Sequence, residues 1–253
     1  MNLSLLDLLK QQSASGKKQL AVLIDPDKAD DRELIPLVTK AQKAGADYFF
    51  VGGSLLTSNQ LDAVLNTIRE ISDLPTILFP GGVTQISSQA DGMLLLSLIS
   101  GRNPEFLIGA HVVAAPMLRQ SGIQLLPTGY MLIDGGRPTT VSYISNTTPI
   151  PADKADIAAC TAMAGEMLGL QLIYMDAGSG ALHPIPQRTI QAVKAAVNLP
   201  VIVGGGIREA GQAEAAFAAG ADVVVVGNAL EDRPEFMEEL ARVKHMANLP
   251  LQA

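Results

Sequence analysis

The chain has 253 residues, 48% of them hydrophobic, with 23 glycines and 15 prolines, a composition that excludes a disordered or low-complexity protein. A formal net charge of -7 argues against a nucleic-acid-binding face, and the single cysteine, Cys160, excludes an internal disulfide framework and a cysteine-rich metal knuckle. The opening Met1-Asn2-Leu3-Ser4 lacks the basic region and apolar run of a secretory leader, and no apolar stretch reaches the length of a membrane span, so a cytoplasmic location is expected.

Along the chain, short aliphatic and β-branched runs alternate with stretches of helical period. The run 20–24 predicts a first strand. A helix over 31–43 follows and ends in Ala44-Gly45-Ala46-Asp47, where Gly45 can take the left-handed cap conformation before a strand at 48–51. A helix over 59–71, a strand at 76–79, a short and weakly helical piece at 83–88 and a strand at 93–96 come next. His111 falls inside the small and apolar pattern of a helix over 104–119, where packing rather than catalysis is expected. A strand over 125–133 leads, through a connection at 146–151, to a helix over 153–168. The run Ala158-Ala159-Cys160-Thr161-Ala162 in that helix predicts buried packing for Cys160. Strands at 172–175, 201–203 and 223–226 then alternate with helices over 187–196, 209–219 and 234–246.

Most of these strands are apolar on both faces, as a parallel sheet covered on both sides requires. Eight of them favour a closed single-domain (β/α)8 TIM-like barrel over a doubly wound open sheet, and the weak piece at 83–88 allows a barrel modified at its third helix. No linker divides the chain, so one domain over 1–253 is expected. The chain also echoes itself: residues 44–52 parallel 219–227, and Leu74-Pro75-Thr76-Ile77-Leu78 parallels Leu199-Pro200-Val201-Ile202-Val203. Such echoes support repeated βα units.

In a barrel of this kind the chemistry gathers where strands end. After the seventh strand stands Gly204-Gly205-Gly206-Ile207-Arg208, and after the eighth Gly227-Asn228-Ala229-Leu230. Glycines let backbone amides approach an anion, and the last two strands are where barrels bind phosphate. The sixth strand ends in Tyr174-Met175-Asp176-Ala177-Gly178-Ser179-Gly180. Its glycines can present amides, and Tyr174 and Asp176 share one face. The first strand ends in Asp25-Pro26-Asp27-Lys28 and the second in Gly52-Gly53-Ser54, where Asp25 and Ser54 could offer oxygens to Mg2+. Lys28 could pair with Asp27 or face a diphosphate. Arg102, the segment Gly135-Gly136-Arg137-Pro138 as a flap, and His183 are weaker candidates near the mouth. The three histidines show no metal-ligand spacing.

These segments, with Phe79-Pro80-Gly81 and Asn103-Pro104-Glu105-Phe106-Leu107-Ile108-Gly109-Ala110-His111, resemble in their order the geranylgeranylglyceryl phosphate synthase family. The resemblance spans roughly residues 19–230. It implies a modified TIM barrel in which sn-glycerol 1-phosphate attacks C1 of a long prenyl diphosphate, geranylgeranyl diphosphate by expectation, giving an ether with assistance from Mg2+. Asp25 and Ser54 match the family's magnesium positions. Tyr174, Met175, Asp176, Ala177, Gly178, Ser179, Gly180, Gly204, Gly205, Gly206, Gly227 and Asn228 match its glycerol phosphate site. Asp176 stands where the family's general base, usually a glutamate, is expected. The resemblance also implies a homo-oligomer, and a prenyl tail would need an apolar groove, for which Phe79, Leu98, Ile99 and Met131 are candidates.

Two other readings stand beside it. One is a phosphosugar isomerase or aldolase-like barrel, although the strand runs carry no lysine for a Schiff base. The other is a non-catalytic barrel that binds a phosphometabolite.

Overall fold

A computed structural model describes residues 3–250. Met1 and Asn2, on which the reading of the chain start partly rests, and the last residues of the expected 1–253 domain lie outside the described residues. Eight parallel strands close into a barrel in the order β1 to β8: β1 (Gln19–Ile24), β2 (Tyr48–Val51), β3 (Thr76–Leu78), β4 (Gly92–Leu98), β5 (Gln124–Leu132), β6 (Leu172–Asp176), β7 (Val201–Gly204) and β8 (Val223–Val226). Register is continuous around the ring, from Ala21 opposite Tyr48 to Leu20 opposite Val224. Alternation along each strand sorts the side chains into two layers. Ala21, Phe50, Ile77, Leu94, Tyr130, Tyr174, Ile202 and Val225 fill the barrel interior. Val22, Phe49, Leu78, Met131, Ile173, Met175, Val203 and Val224 face the surrounding helices.

Those helices are α2 (Asp31–Ala44), α3 (Leu61–Ile71), α4 (Ala110–Ser121), α5 (Thr140–Ile144), α6 (Ala155–Met167), α7 (Gln187–Ala196), α8 (Ala210–Ala218), α9 (Asn228–Asp232) and α10 (Phe236–Ala247). A further helix not expected from the sequence, α1 (Leu5–Ala14), is capped by the Ser4 hydroxyl on the Asp7 amide and closes the barrel floor. Its Leu5 and Leu9 join the interior cluster, and the Leu5 amide donates to Gln124 Oε1 at 2.7 Å at the start of β5. Gly45 ends α2 at φ 87°, as its place before a strand requires. The segment 104–119 is a π-helical turn, Glu105–Gly109, running into α4.

Residues 79–91 form no helix, so the third βα unit carries none. Pro80, Gly81 and Gly82 oppose helix formation there, and Gln85 ties the segment to the β2 loop. Its Nε2 donates to the Gly53 carbonyl at 2.9 Å while its Oε1 accepts the Gly81 amide at 3.1 Å. The outer face of β4 is left uncovered on that side.

The sequence echoes have a physical counterpart at the barrel floor. Asp47, Asp91 and Asp222 each precede an even-numbered strand. Each carboxylate accepts the amide of the residue it opposes on the preceding odd strand: Leu20 at 2.8 Å, Thr76 at 2.8 Å and Val201 at 2.7 Å. The corresponding place between β5 and β6 holds Gln171 opposite Pro127. Proline has no amide hydrogen, so an aspartate there would find no donor. Lysines complete two of the clamps, Lys194 on Asp222 at 2.6 Å and Lys244 on Asp47 at 2.7 Å.

Cys160 is exposed, contrary to the expected packing. The buried stripe of α6 is Ala158, Ala162 and Gly165, and Cys160 lies two residues, about 200°, away from Ala158 and Ala162 on the opposite side.

Candidate active site

The carboxyl ends of the strands surround a cavity of about 460 Å³. It has a polar mouth and an apolar arm. The polar mouth begins with Asp176, the last residue of β6, which points into the barrel beside Tyr174 because inward side chains recur every second residue. Asp176 is 7% exposed, and both its oxygens are engaged. Tyr130 on β5 donates its hydroxyl to Oδ2 at 2.5 Å, and the Gly178 amide donates to Oδ1 at 2.7 Å. Burial pushes the Asp176 carboxyl above the ordinary carboxylate range, against the lowering effect of those two donors. The desolvation has a visible source in three rings. Phe79 stacks on Tyr174 with centroids 4.8 Å apart, and Tyr130 lies 5.6 Å from Tyr174 and 5.9 Å from Phe79. Burial, with the Asp176 charge adding to it, also raises the Tyr130 and Tyr174 phenols well above their usual range, so both stay protonated at neutral pH.

Around the carboxylate the glycine loops form a cradle. Ser179, Gly180, Gly205, Gly206, Gly227 and Asn228 all line the cavity. Asn228 Nδ2 donates to Ser179 Oγ at 3.2 Å, which joins the β6 and β8 loops across the mouth. Among the described residues, the amides of Gly180, Gly205, Gly206 and Gly227 donate no hydrogen bond within the protein. Gly178, Gly180, Gly205 and Gly206 have φ of 88°, 77°, 83° and 71°, a region L side chains rarely adopt. Gly205 is the one that packs directly against the carboxylate. A Cβ there would fall 2.7 Å from Asp176 Oδ1 and 2.8 Å from the amide nitrogens of Ala177 and Gly178. Gly205→Ala is therefore expected to displace the Asp176 carboxylate, with a backbone strain of about 1–3 kcal/mol. Calorimetric titration with glycerol phosphate should show binding weakened at least about tenfold, since a 1 Å misplacement has effects of this size or larger. Unchanged binding would show that the β7 loop is not part of the anion cradle.

The remaining residues singled out in the sequence fall into distinct places. Tyr174 lines the cavity, and Gly204 packs directly beneath its hydroxyl. Met175 and Ala177 are buried in the outer layer, so their side chains face away from the mouth. The Gly178 amide is spent on Asp176. Asp25 and Ser54 lie at the neighbouring ends of β1 and β2 and line the same cavity. Asp25 Oδ1 accepts the Asp27 amide at 3.1 Å. Asp27 itself is exposed, and its carboxylate is saturated by the hydroxyls and amides of Ser58 and Thr57, which hold it down to about 2. Lys28 lines the mouth. Arg102 turns away to its neighbour's carbonyl at Gly101 and lines a second, outer groove. The Gly135 carbonyl accepts the amides of Leu182 and His183, so the β5 loop is tied to the β6 loop and the His183 ring sits against Gly136, outside the cavity.

The apolar arm exists because the third βα unit lacks its helix. Phe79, Val83, Met93, Leu95, Phe106, Ala110, Ala114 and Leu118 line it, from the outer face of β4 to the inner face of α4. Of the four tail candidates from the sequence, Phe79 and Leu98 line the cavity. Ile99 lines the outer groove instead, and Met131 is sealed in the layer between barrel and helices. His111, expected as a packing residue, stands on the wall of the arm with its Nε2 3.3 Å from Ser97 Oγ. Burial holds its imidazole below the ordinary value, which keeps it neutral. Sequence reasoning missed Tyr130 and the α4 wall. The only signal for Tyr130 was its polar tip in a largely apolar strand.

Comparison with known proteins gives a consistent result. Residues 14–245 match the PcrB family. The geranylgeranylglyceryl phosphate synthase of Chitinophaga pinensis is 53% identical over 236 residues, covering 93% of this chain and 94% of that protein. The synthase of the same name from Methanothermobacter marburgensis is 39% identical over 221 residues, 87% of this chain and 89% of that protein. Among solved structures, (S)-3-O-geranylgeranylglyceryl phosphate synthase from Thermoplasma acidophilum, in complex with its substrate sn-glycerol-1-phosphate, superimposes with a TM-score of 0.89 at 31% identity. It covers 96% of this chain and 98% of that one.

Proposed function

The chain belongs to the PcrB family and is a prenyltransferase, and from that premise we propose that it joins sn-glycerol 1-phosphate to geranylgeranyl diphosphate, releasing diphosphate and leaving an ether. The observation that carries this reading is one cavity in which an anion cradle, a buried carboxylate and an apolar arm are continuous. The unpaired amides of the β6, β7 and β8 loops suit a phosphate monoester, as paired loops at the last strands of a barrel do. Asp176 then takes the proton of the attacking hydroxyl. Its raised affinity for a proton suits that task at neutral pH.

The arm supports the length of the donor. From Phe106 to Leu118 the wall runs twelve residues, about 18 Å at 1.5 Å per helical residue. Each isoprene unit spans about 5 Å at ordinary bond lengths, so about four units fit. A sugar-phosphate isomerase or aldolase would have no use for such an arm.

The oxygens of Asp25 and Ser54 fit Mg2+, which takes few protein ligands and keeps waters and substrate phosphate oxygens. Among the described residues no group of three or more histidine, cysteine, aspartate or glutamate side chains competes for a metal. When bound, the ion supplies neutralisation of the charge that builds on the departing diphosphate. Asp25→Asn is expected to raise the Mg2+ concentration for half-maximal rate by about tenfold or more while glycerol phosphate binding stays intact. A normal magnesium titration of this variant would remove Asp25 from the metal site.

Exposed apolar side chains on α4 (Val112, Val113, Met117) and α6 (Ile157, Met167) support a homo-oligomer, which light scattering would measure. No helix among the described residues is long and apolar enough to cross a membrane. The decisive experiment mixes the protein, Mg2+, sn-glycerol 1-phosphate and prenyl diphosphates of graded length, and analyses extracted ethers by mass. An ether maximal at four isoprene units is expected; no ether at any length would overturn the reading.

A further inference from the structure

Resting on the magnesium reading above, we propose that Asp27 is a positioning residue that sets the placement of Ser54 relative to Asp25, and with it the affinity of the site for Mg2+. Asp27 touches both of the loops that carry those oxygens. On its own loop its amide donates to Asp25 Oδ1 at 3.1 Å, across a turn closed by the Lys28 amide on the Asp25 carbonyl at 3.1 Å. Pro26 stands between the two aspartates and stiffens the backbone of that turn. On the neighbouring loop the Asp27 carboxylate collects four donors. Oδ2 accepts the Thr57 amide at 2.6 Å and the Thr57 hydroxyl at 2.9 Å. Oδ1 accepts the Ser58 amide at 3.0 Å and the Ser58 hydroxyl at 2.6 Å. Those bonds occupy the acceptor sites of the carboxylate, so Asp27 is an anchor and not a further metal ligand. The Ser58 hydroxyl and the Thr57 amide, in that order, hold its carboxyl down to about 2, and it is ionised at neutral pH.

Ser54 sits between two anchors. On one side the Gly53 carbonyl accepts Gln85 Nε2 at 2.9 Å, and Gly81 packs so closely that a Cβ on it would fall 2.3 Å from the Gly53 oxygen and 2.4 Å from the Ser54 oxygen. On the other side the bonds to Asp27 are the next attachment. Among the described residues, the amides of Ser54, Leu55 and Leu56 donate no hydrogen bond within the protein. Only the Asp27 bonds tie 54–59 to another segment by hydrogen bonding. Leu56 leans on the outer core layer, a contact that fixes depth but not direction. The direction of the Ser54 oxygen therefore depends on Asp27. Mg2+ demands near-ideal octahedral geometry, so a small displacement of one ligand loop weakens its binding.

Asp27→Ala is expected to raise the Mg2+ concentration for half-maximal ether formation by about tenfold or more, the range for residues that orient metal ligands. Glycerol phosphate affinity by calorimetry should stay close to wild type, because the anion cradle lies on the β6, β7 and β8 loops. Asp27→Asn keeps one acceptor oxygen and should fall between the two. Thr57→Val with Ser58→Ala removes the two hydroxyl donors from the other side. It should shift the Mg2+ requirement in the same direction by less, and add little to Asp27→Ala. Hydrogen exchange of the metal-free protein gives a readout independent of turnover. The Thr57 and Ser58 amides should exchange at least about tenfold faster in Asp27→Ala than in the wild type. A normal Mg2+ requirement in Asp27→Ala, or unchanged exchange at Thr57 and Ser58, would overturn the proposal. An equal loss of Mg2+ and glycerol phosphate affinity would do the same, since it marks a general loosening of the mouth. Wild-type ether formation with no response to Mg2+ would overturn the metal reading itself, and the role of Asp27 with it.

Discussion

Asp176→Asn is expected to lower kcat by about 10²–10⁴-fold, the range attributed to a general base, while KM for glycerol phosphate changes by no more than about threefold. The substitution is nearly isosteric. The side-chain oxygen can still accept the Gly178 amide, and the Tyr130 hydroxyl can turn to accept from the new amide group. What is lost is the capacity to hold a proton. The same change should alter stability in the opposite sense. The folded-state pKa of Asp176 is raised by burial, so the stability its protonated form contributes is complete below the ordinary carboxylate value of about 4. It is lost as pH rises through the raised folded value. Asparagine cannot ionise, so the variant should melt higher than the wild type at neutral pH and converge with it in acid. In the wild type the acid limb of kcat/KM should lie above the ordinary carboxylate range. Normal turnover in the variant would remove Asp176 from proton transfer. A lower melting temperature at neutral pH would show that the buried charge is compensated by more than Tyr130 and Gly178.

The second large effect lies at the other end of the barrel. Asp222→Ala is expected to destabilise the protein by about 2–4 kcal/mol without changing turnover of the folded fraction. Half of that follows from the Val201 amide, buried and left without an acceptor, a loss of about 1–3 kcal/mol. The rest follows from Lys194, which loses its partner. Because Lys194 is 31% exposed, water compensates part of that loss, and the full value for a broken buried pair does not apply. At about 2–4 °C per kcal/mol for a chain of this size, the melting temperature should fall by roughly 5–15 °C. The three clamps offer an internal scale. Asp47→Ala also removes an amide partner and a lysine partner, but from a carboxylate that is 19% exposed against 2% for Asp222, and Asp91→Ala removes an amide partner alone. The losses should therefore rank Asp222, then Asp47, then Asp91. A ranking in which Asp91→Ala is the most harmful would overturn the account of the clamps.

Much of the mouth was legible because it needs only strand order and strand ends. Once eight runs were recognised, Asp25, Ser54, Asp176, Gly205 and Asn228 stood at the rim by position, and the structure places them around one cavity. The readings that failed concern faces. Met175 sits in the middle of a motif whose flanking residues face inward, and period-two alternation turns it outward. Ile99 and Met131 were assigned to the groove without knowledge of which face of β4 and β5 borders it. Cys160 reads as packing because the run around it, Ala158-Ala159-Cys160-Thr161-Ala162, is almost uniformly small, so its composition shows no preferred side. The first helix was missed because only Leu5 and Leu9 mark its buried face, too few to stand out in a short amphipathic stretch.

The amino-acid order by itself determined the parallel strands, their closure into a ring and the glycine loops, because these follow from local period, β-branched runs and backbone freedom at single residues. The Asp-to-amide clamps were also latent there, in the repeated Ala-Gly-Ala-Asp and in the proline that breaks their series at Pro127. Tertiary structure alone decided the contact of Tyr130 with Asp176, forty-six residues apart, and the path of the apolar arm. The first depends on the register between β5 and β6, the second on a helix that does not form. Both are relations between segments, set when the barrel closes and water leaves its interior.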